Sequence, residues 1–422
     1  MSDHNTSCDA GLGDGQPAGS RPGAMDAIRP DRTATPLAGL RVVEFVHMIM
    51  GPTCGLVLAD LGAEVIKVEP TPDGDNTRRL GGSGAGFFAF GNRNKQSLAV
   101  DLKSEEGMTL VRRLLATADI VVENFRPGAM DKLGLGYAAL SAENPRLIYC
   151  SCKGFLPGPY EHRVALDEVV QMMGGLAYMT GDPGRPLRVG SSVNDIMGGM
   201  FGAIGILSAL HERHATGRGR HVQVGLFENN VLLVSQHMAQ FAVSGVEAPP
   251  MTKRLPAWPV YDIFEVADGQ VFVGVVTDTQ WQVFCEAFGL AHLAADPELA
   301  SRRQRVEARG RTIPQVAAAF AGLTRAALMD KCERLGLPYA PIARPVELFD
   351  DPHLNASGGL VPMVLPDGIA VKLPALPLGF DGVRPGLRRN PPAVGADGAA
   401  VAAGLGYSAE EIAQLRGLGV LG

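Results

Sequence analysis

The chain has 422 residues, of which 46% are hydrophobic and 19% charged, an ordinary globular mix long enough for two or three domains. Its net charge of −6 leaves no basic excess for nucleic acid or anionic lipid, so any cationic site must be local. Six cysteines without a CxxC pair and nine histidines without HExxH spacing give no redox or metal motif, and no metal is expected.

Residues 1–36 are rich in Gly, Pro, Asp and Ser and lack the apolar core of a signal peptide, so they read as a disordered leader and the cytoplasm is the expected compartment. A strand–helix rhythm follows. Leu40–Phe45 is a short apolar strand, and Gly51-Pro52 opens a helical run over Thr53–Leu61 that Gly62 closes. Ala63–Glu69 is the next strand. Ser104–Ala116 is predicted as a helix with Ser104 as N-cap and Glu106 in its first turn. Asp119–Glu123 and Leu147–Cys152 are further strands, the second placing Cys150 and Cys152 on one buried face. Strands separated by helices of this length predict an α/β fold with a parallel, doubly wound sheet.

The middle of the chain is helical. Asp167–Leu176 and Ile196–His214 are apolar on most faces, and Thr216–Gly219 ends the second run. Its apolar stretch, Ile196–Leu210, is shorter than the roughly 20 residues a bilayer crossing needs, so a core helix and no membrane partner are expected. A strand over His221–Leu226 and a helix over Phe227–Val243 follow. The proline-rich stretch Val246–Pro259 then marks a break before a smaller unit, with a strand at Gln270–Val276, a helix at Gln280–Phe288 and a helical stretch at Ile313–Leu335. The chain turns loop-rich near Leu348. Ser408 and Glu411 form a capping box before the last helix. The glycines of Gly81–Gly86 lack GxGxxG spacing and a Walker lysine and read as a mobile loop; the GxGxxG at Gly417–Gly422 has no helix after it.

Several extended phrases fall in a telling order: PLAGLRVVE from Pro36, Gly51-Pro52, LGAEVIKVE from Leu61, NKQS from Asn94 with Asp101-Leu102-Lys103, ENFRPG from Glu123, ALDEVVQMMGG from Ala165, Thr180-Gly181, and Thr216–Gly219. Together they resemble the family III CoA transferases, a group that also contains 2-methylacyl-CoA racemases. The resemblance implies a Rossmann-like large domain over 37–245 with 375–422 returning to it. It further implies a linker at 246–259, a small α/β domain at 260–345, a return linker at 346–374 and an interlocked homodimer. It implies CoA thioester as substrate, with no permanently bound cofactor. It also places CoA-binding residues at the turn His47–Gly51, at Asn124, Phe125 and Arg126 of the ENFRPG loop, and at Lys103, Lys132 and Lys153. A chain of negative net charge needs such local cations to hold phosphates. The oxalate-handling members carry an arginine where this chain has Pro70 and a tetraglycine flap where it has Val246–Pro259, so formyl-CoA:oxalate transfer is disfavoured.

The same resemblance implies an aspartate nucleophile that forms a mixed anhydride and then an aspartyl-CoA thioester. Two positions qualify. Asp167 opens the helix of the LDEVVQ phrase, where the helix N-terminus favours an ionised carboxylate open to ligand; a plain N-cap is the bland alternative. Asp182 follows Thr180-Gly181, although the gapless match to the oxalate-type nucleophile is Gly184; a turn before Pro183 is its bland alternative. The racemases hold a catalytic histidine where this chain has Leu166, which leaves Asp195, the match to their second acid, without its counterpart. An acyl-CoA epimerase and a CoA-binding protein without chemistry stay as alternatives. Arg163, Arg185 and Arg188 flank the candidate nucleophiles and suit a short C4–C5 dicarboxylate as donor or acceptor.

Overall fold

The computed structural model describes residues 35–422. The expected leader therefore lies outside the described residues except for Thr35 and Pro36, and Cys8 lies outside them too. Six strands form one parallel sheet: β1 (Arg41–Phe45), β2 (Glu64–Glu69), β3 (Lys95–Ala99), β4 (Ile120–Glu123), β5 (Ile148–Lys153) and β6 (His221–Gly225). Their order is β3-β2-β1-β4-β5-β6, so β1 lies between β2 and β4 and the winding reverses there. The central strands are Val/Ile-rich because both their faces are covered by helices.

Alternation along each strand splits the core in two. Val42, Val65, Ile120 and Ile148 point to one face, where they pack with Cys54 and Leu58 of α1 (Met50–Asp60) and with Ala203 and Ile206 further along the chain. Cys150 and Cys152 share that face, as their spacing predicts. Val43, Ile66, Val121 and Tyr149 point to the other, against Leu110 and Leu114, Ile412 and Leu415. After the short α2 (Phe87–Gly91), α3 (Glu105–Leu115) has its first turn capped by Ser104, whose hydroxyl accepts from the Gly107 N–H. Two short helices, α4 (Ala129–Lys132) and α5 (Tyr137–Glu143), separate β4 from β5. The capping box at Ser408 and Glu411 is formed and opens the helix Ala409–Gly417.

The predicted helix over Asp167–Leu176 is two helices, α6 (Asp167–Met173) and α7 (Leu176–Thr180), because Gly175 sits at φ +85°. The long apolar helix is α8 (Val193–Thr216), which extends past both ends of the predicted run. At 24 residues it is long enough for a bilayer crossing, which corrects the expectation of a run too short to span one. Its Gly198, Gly199 and Gly202 are buried against α1, and α9 (Leu226–Ser244) follows β6.

A separate core lies between 260 and 341, built on the antiparallel strands β7 (Val260–Val266), β8 (Gly269–Val275) and β9 (Tyr339–Pro341). The predicted stretch Ile313–Leu335 is two helices, Arg309–Phe320 and Arg325–Arg334, the second capped by Thr324. Beyond Leu348 the loop-rich region holds a hairpin of β10 (Leu360–Val364) and β11 (Ala370–Pro374).

Candidate active site

Reversal of strand order opens a crevice at the carboxyl ends of β1 and β4, where ligands bind in sheets of this type. Phe45 and Glu123 are register partners, so the chain leaves both strands side by side. There the Asn124 side chain clamps the His47 peptide, its Oδ1 accepting from the His47 N–H at 3.0 Å and its Nδ2 donating to the His47 carbonyl at 2.8 Å. The His47 ring leans on Phe125 with centroids 5.8 Å apart. Desolvation by the surrounding protein lowers the pKa of the His47 imidazole, although Asp75 pulls the other way. Gly51 leaves room for this approach, since a Cβ there would meet Val46 at 2.6 Å and Asn124 Cγ at 3.0 Å. Thus His47, Asn124 and Phe125, separate in sequence, form one constellation.

Lys153 ends β5 and donates to Glu123 Oε2 and to the Phe125 carbonyl, each at 2.7 Å, fixing the loop from the other side. Burial raises the pKa of Glu123 even with Lys153 beside it. A cavity of about 400 Å³ extends from this pair, lined by Glu123, Gly128, Tyr137, Ser151, Lys153 and His221. The His221 ring stacks on Tyr137 at 4.5 Å and meets the Ser151 hydroxyl at 3.0 Å. Arg126 and Lys132 flank the rim residues Pro127, Gly128 and Asp131; both are exposed and make no ion pair among the described residues. Lys103 is exposed as well, but it follows β3 at the opposite edge of the sheet from β6. His221 and Tyr137 carry no sequence signal, because each stands in an ordinary strand or helix with no motif around it.

The acids gather where α6 and α8 begin. Asp167 Oδ2 accepts from the backbone N–H groups of Asn194 at 2.7 Å and Asp195 at 3.0 Å, and Oδ1 accepts from the Gln171 side chain. One carboxylate so satisfies free donors in the first turn of the neighbouring helix. Asp167 is only 3% exposed, which corrects the expectation of a carboxylate open to ligand: its bonds lie across to α8, 27 residues on. Asp195 is pushed up to about 7, first by burial and then by the charges of Asp167 and Glu168. Asp182 is exposed in a tight turn, its carbonyl accepting from the Arg185 N–H at 2.9 Å, with Gly184 at φ +75°.

The three arginines are not drawn together by any described contact. Arg188 pairs with Glu168, Arg163 lies over the Tyr160 ring at 4.9 Å, and Arg185 is exposed. Glu168 and Arg188 line a second cleft of about 300 Å³ with Ile49, Ser83, Phe87 and Ser191. This cleft joins the turn after β1 to the acid cluster, and it brings in Ser83 of the glycine-rich loop, which has no phosphate-binding motif.

The sequence model of CoA-transferase family III matches residues 37–398. A succinate–glutarate CoA-transferase of Agrobacterium fabrum is 34% identical over 349 residues, covering 80% of this chain and 87% of that protein. A succinyl-CoA–D-citramalate CoA-transferase of Chloroflexus aurantiacus is 34% identical over 380 residues, covering 87% of this chain and 94% of that protein. The crystal structure of a CaiB/BaiF family protein from Brucella suis is similar at a TM-score of 0.79 and 35% identity, covering 88% of this chain and 100% of that one. On a match of this extent the chain belongs to CoA-transferase family III and is an enzyme of the transferase class.

Proposed function

We propose that this enzyme moves CoA from an acyl-CoA thioester to a short dicarboxylic acid, with Asp167 as the nucleophile. The supporting observation is the pair of α8 N–H groups on Asp167 Oδ2. In the first step the free electron pair of Oδ1 attacks the thioester carbonyl and expels CoA thiolate, which leaves a mixed anhydride. The thiolate then adds to the aspartyl carbonyl carbon, and the negative charge that develops falls on Oδ2. Two backbone donors already point at that oxygen, so the charge is met without reorganisation. Collapse releases the first acid and leaves an aspartyl-CoA thioester. The acceptor carboxylate then reverses both steps, with no net proton, metal or nucleotide consumed.

Gln171 covers Oδ1 and must swing away for attack; it is itself held by the Val189 N–H, which donates to its Oε1 at 2.8 Å. Asp182 is more accessible, but among the described residues no backbone N–H donates to its carboxylate. CoA is assigned to the crevice of His47, Asn124 and Phe125 and to the cavity beside Lys153. Arg126 and Lys132 at the rim, with Lys103, take the phosphates. The dicarboxylate rests on the names of the Agrobacterium and Chloroflexus relatives, with Arg188 paired to Glu168 of the acid cluster and Arg163 and Arg185 exposed on the flanking segments. Epimerisation is the weaker reading. Asp195, at about 7, could take a proton, but Leu166 stands in the place of a second base.

Trapping decides the nucleophile. After incubation with succinyl-CoA and digestion with trypsin, the peptide running from Val164 to Arg188 holds both candidates. Fragmentation should place the added CoA on Asp167, and Asp167→Ala should abolish adduct and turnover. An adduct on Asp182, or full activity of Asp167→Ala, would falsify the assignment.

A further inference from the structure

The turn that carries His47 is not a relaxed one. Met48 has φ +61°, the left-handed region that a side chain of this size rarely enters. Backbone in such a conformation persists only where its surroundings over-determine it, and it clusters at functional sites. Asn124 fixes one side of the turn. A second device fixes the other, and it is made of groups with no part in the chemistry proposed above. The Met48 N–H donates to Thr77 Oγ1 at 2.9 Å, and the Val46 carbonyl accepts from Lys67 Nζ at 2.6 Å. Asp75 joins the two: its Oδ1 accepts from the Thr77 hydroxyl at 2.7 Å and the Thr77 N–H at 2.9 Å, and its Oδ2 pairs with Lys67 at 2.9 Å.

All three side chains are buried, Lys67 fully so, and their exposures are 0%, 5% and 3% for Lys67, Asp75 and Thr77. The hydroxyl proton of Thr77 is committed to Asp75, so a lone pair is left facing the Met48 N–H. A buried lysine and aspartate are costly, and simple stability is served as well by apolar residues of the same volume. Their use here fits a need for direction: the pair orients one hydroxyl and one carbonyl at the same three-residue turn.

We propose that Thr77 is a positioning residue of the CoA site, its hydroxyl locked by the Asp75–Lys67 pair so as to hold the left-handed Met48 turn that presents His47. The inference rests on the assignment of this crevice to CoA. Thr77→Val keeps the shape and removes the acceptor, whereas Thr77→Ser keeps the acceptor. Calorimetric titration with free CoA should show binding weakened at least about 10-fold in Thr77→Val and within about 2-fold of wild type in Thr77→Ser. In turnover, KM for succinyl-CoA should rise with it while kcat falls by less than about 3-fold, the pattern of lost binding and not of lost chemistry. A folded Thr77→Val that binds CoA like wild type, or a serine variant as weak as the valine, overturns the inference alone. Wild-type protein that binds no CoA overturns the function reading with it. Should the valine variant not fold, hydrogen exchange of the Met48 amide in wild type tests the clamp directly. Protection on the order of 100-fold supports it, and exchange at the free-peptide rate refutes it.

Discussion

To tell a dicarboxylic acid from a monocarboxylic one, a CoA transferase needs a cation that meets the distal carboxylate once water is expelled. Arg163 and Arg185 are the candidates, since neither guanidinium has a carboxylate partner among the described residues, whereas Arg188 is already spent on Glu168. If one of them pairs the substrate, Arg163→Leu or Arg185→Leu should cost succinate or glutarate about 2–4 kcal/mol in kcat/KM. Butyrate should be nearly unaffected. Equal losses for both acid classes would assign these arginines to CoA or to the fold. Residue type and position were legible in the sequence, but pairing was not: Arg188 and Glu168 are 20 residues apart, and nothing in either phrase announces the bond. Asp167 gives the same lesson, because the N–H groups that bury it belong to α8. Thr77 could have been found, since Asp75-Asn76-Thr77 has the Asp-x-Thr spacing of a cap, and Asp75 does cap the 3-10 turn Asn76–Arg79.

Between elements, the site depends on how closely α1 meets α8. A Cβ on Gly199 would sit 2.5 Å from Thr53 Cβ and 2.6 Å from the Met50 carbonyl, both in the first turn of α1. Because backbone is what it meets, a methyl there has to move the helix that follows the His47 turn. Gly199→Ala should therefore destabilise the protein by about 1–3 kcal/mol in denaturant unfolding and raise KM for the CoA substrate together with it. Gly404→Ala is the control, because a Cβ there meets nothing within 4 Å, and it should change stability by less than about 0.5 kcal/mol. An unaltered Gly199→Ala would mean that the two helices have slack. The elements themselves were largely readable. The strand predictions for β1, β2, β4 and β5 agree with the structure to within a residue at each end, since central parallel strands are short apolar runs between turn signals. β3 (KQSLA) escaped because buried Lys95, paired with Glu44 at 2.7 Å, breaks the apolar pattern. The hairpin of β10 and β11 escaped because its strands are half exposed and Pro362 interrupts β10.

At the level of the whole molecule, the helices on one side of the sheet present apolar surface that a single copy leaves in water. α8 turns its glycines to α1 and its larger residues outward, with Met200 46% and Ile204 52% exposed. The last half of α9 is exposed almost throughout, and Met238, Phe241 and Val243 stand on it at 56%, 55% and 89%. Large apolar side chains exposed in this number on two helices suit an interface. A second copy is the proposed cover, in the interlocked arrangement that the family resemblance implies. Interlocking makes a stricter claim than dimerisation, because linked chains cannot part without unfolding. Sedimentation should give a dimer at nanomolar concentration, and a folded monomer there would refute the dimer. Mixing isotope-labelled and unlabelled protein should give no mixed dimers by native mass spectrometry after many hours in native buffer, and a 1:2:1 mixture after joint unfolding and refolding. Mixed dimers that form in native buffer would leave a dimer in place but show that the chains are not threaded through each other, and the exposed half of α9 would then be an ordinary, separable interface.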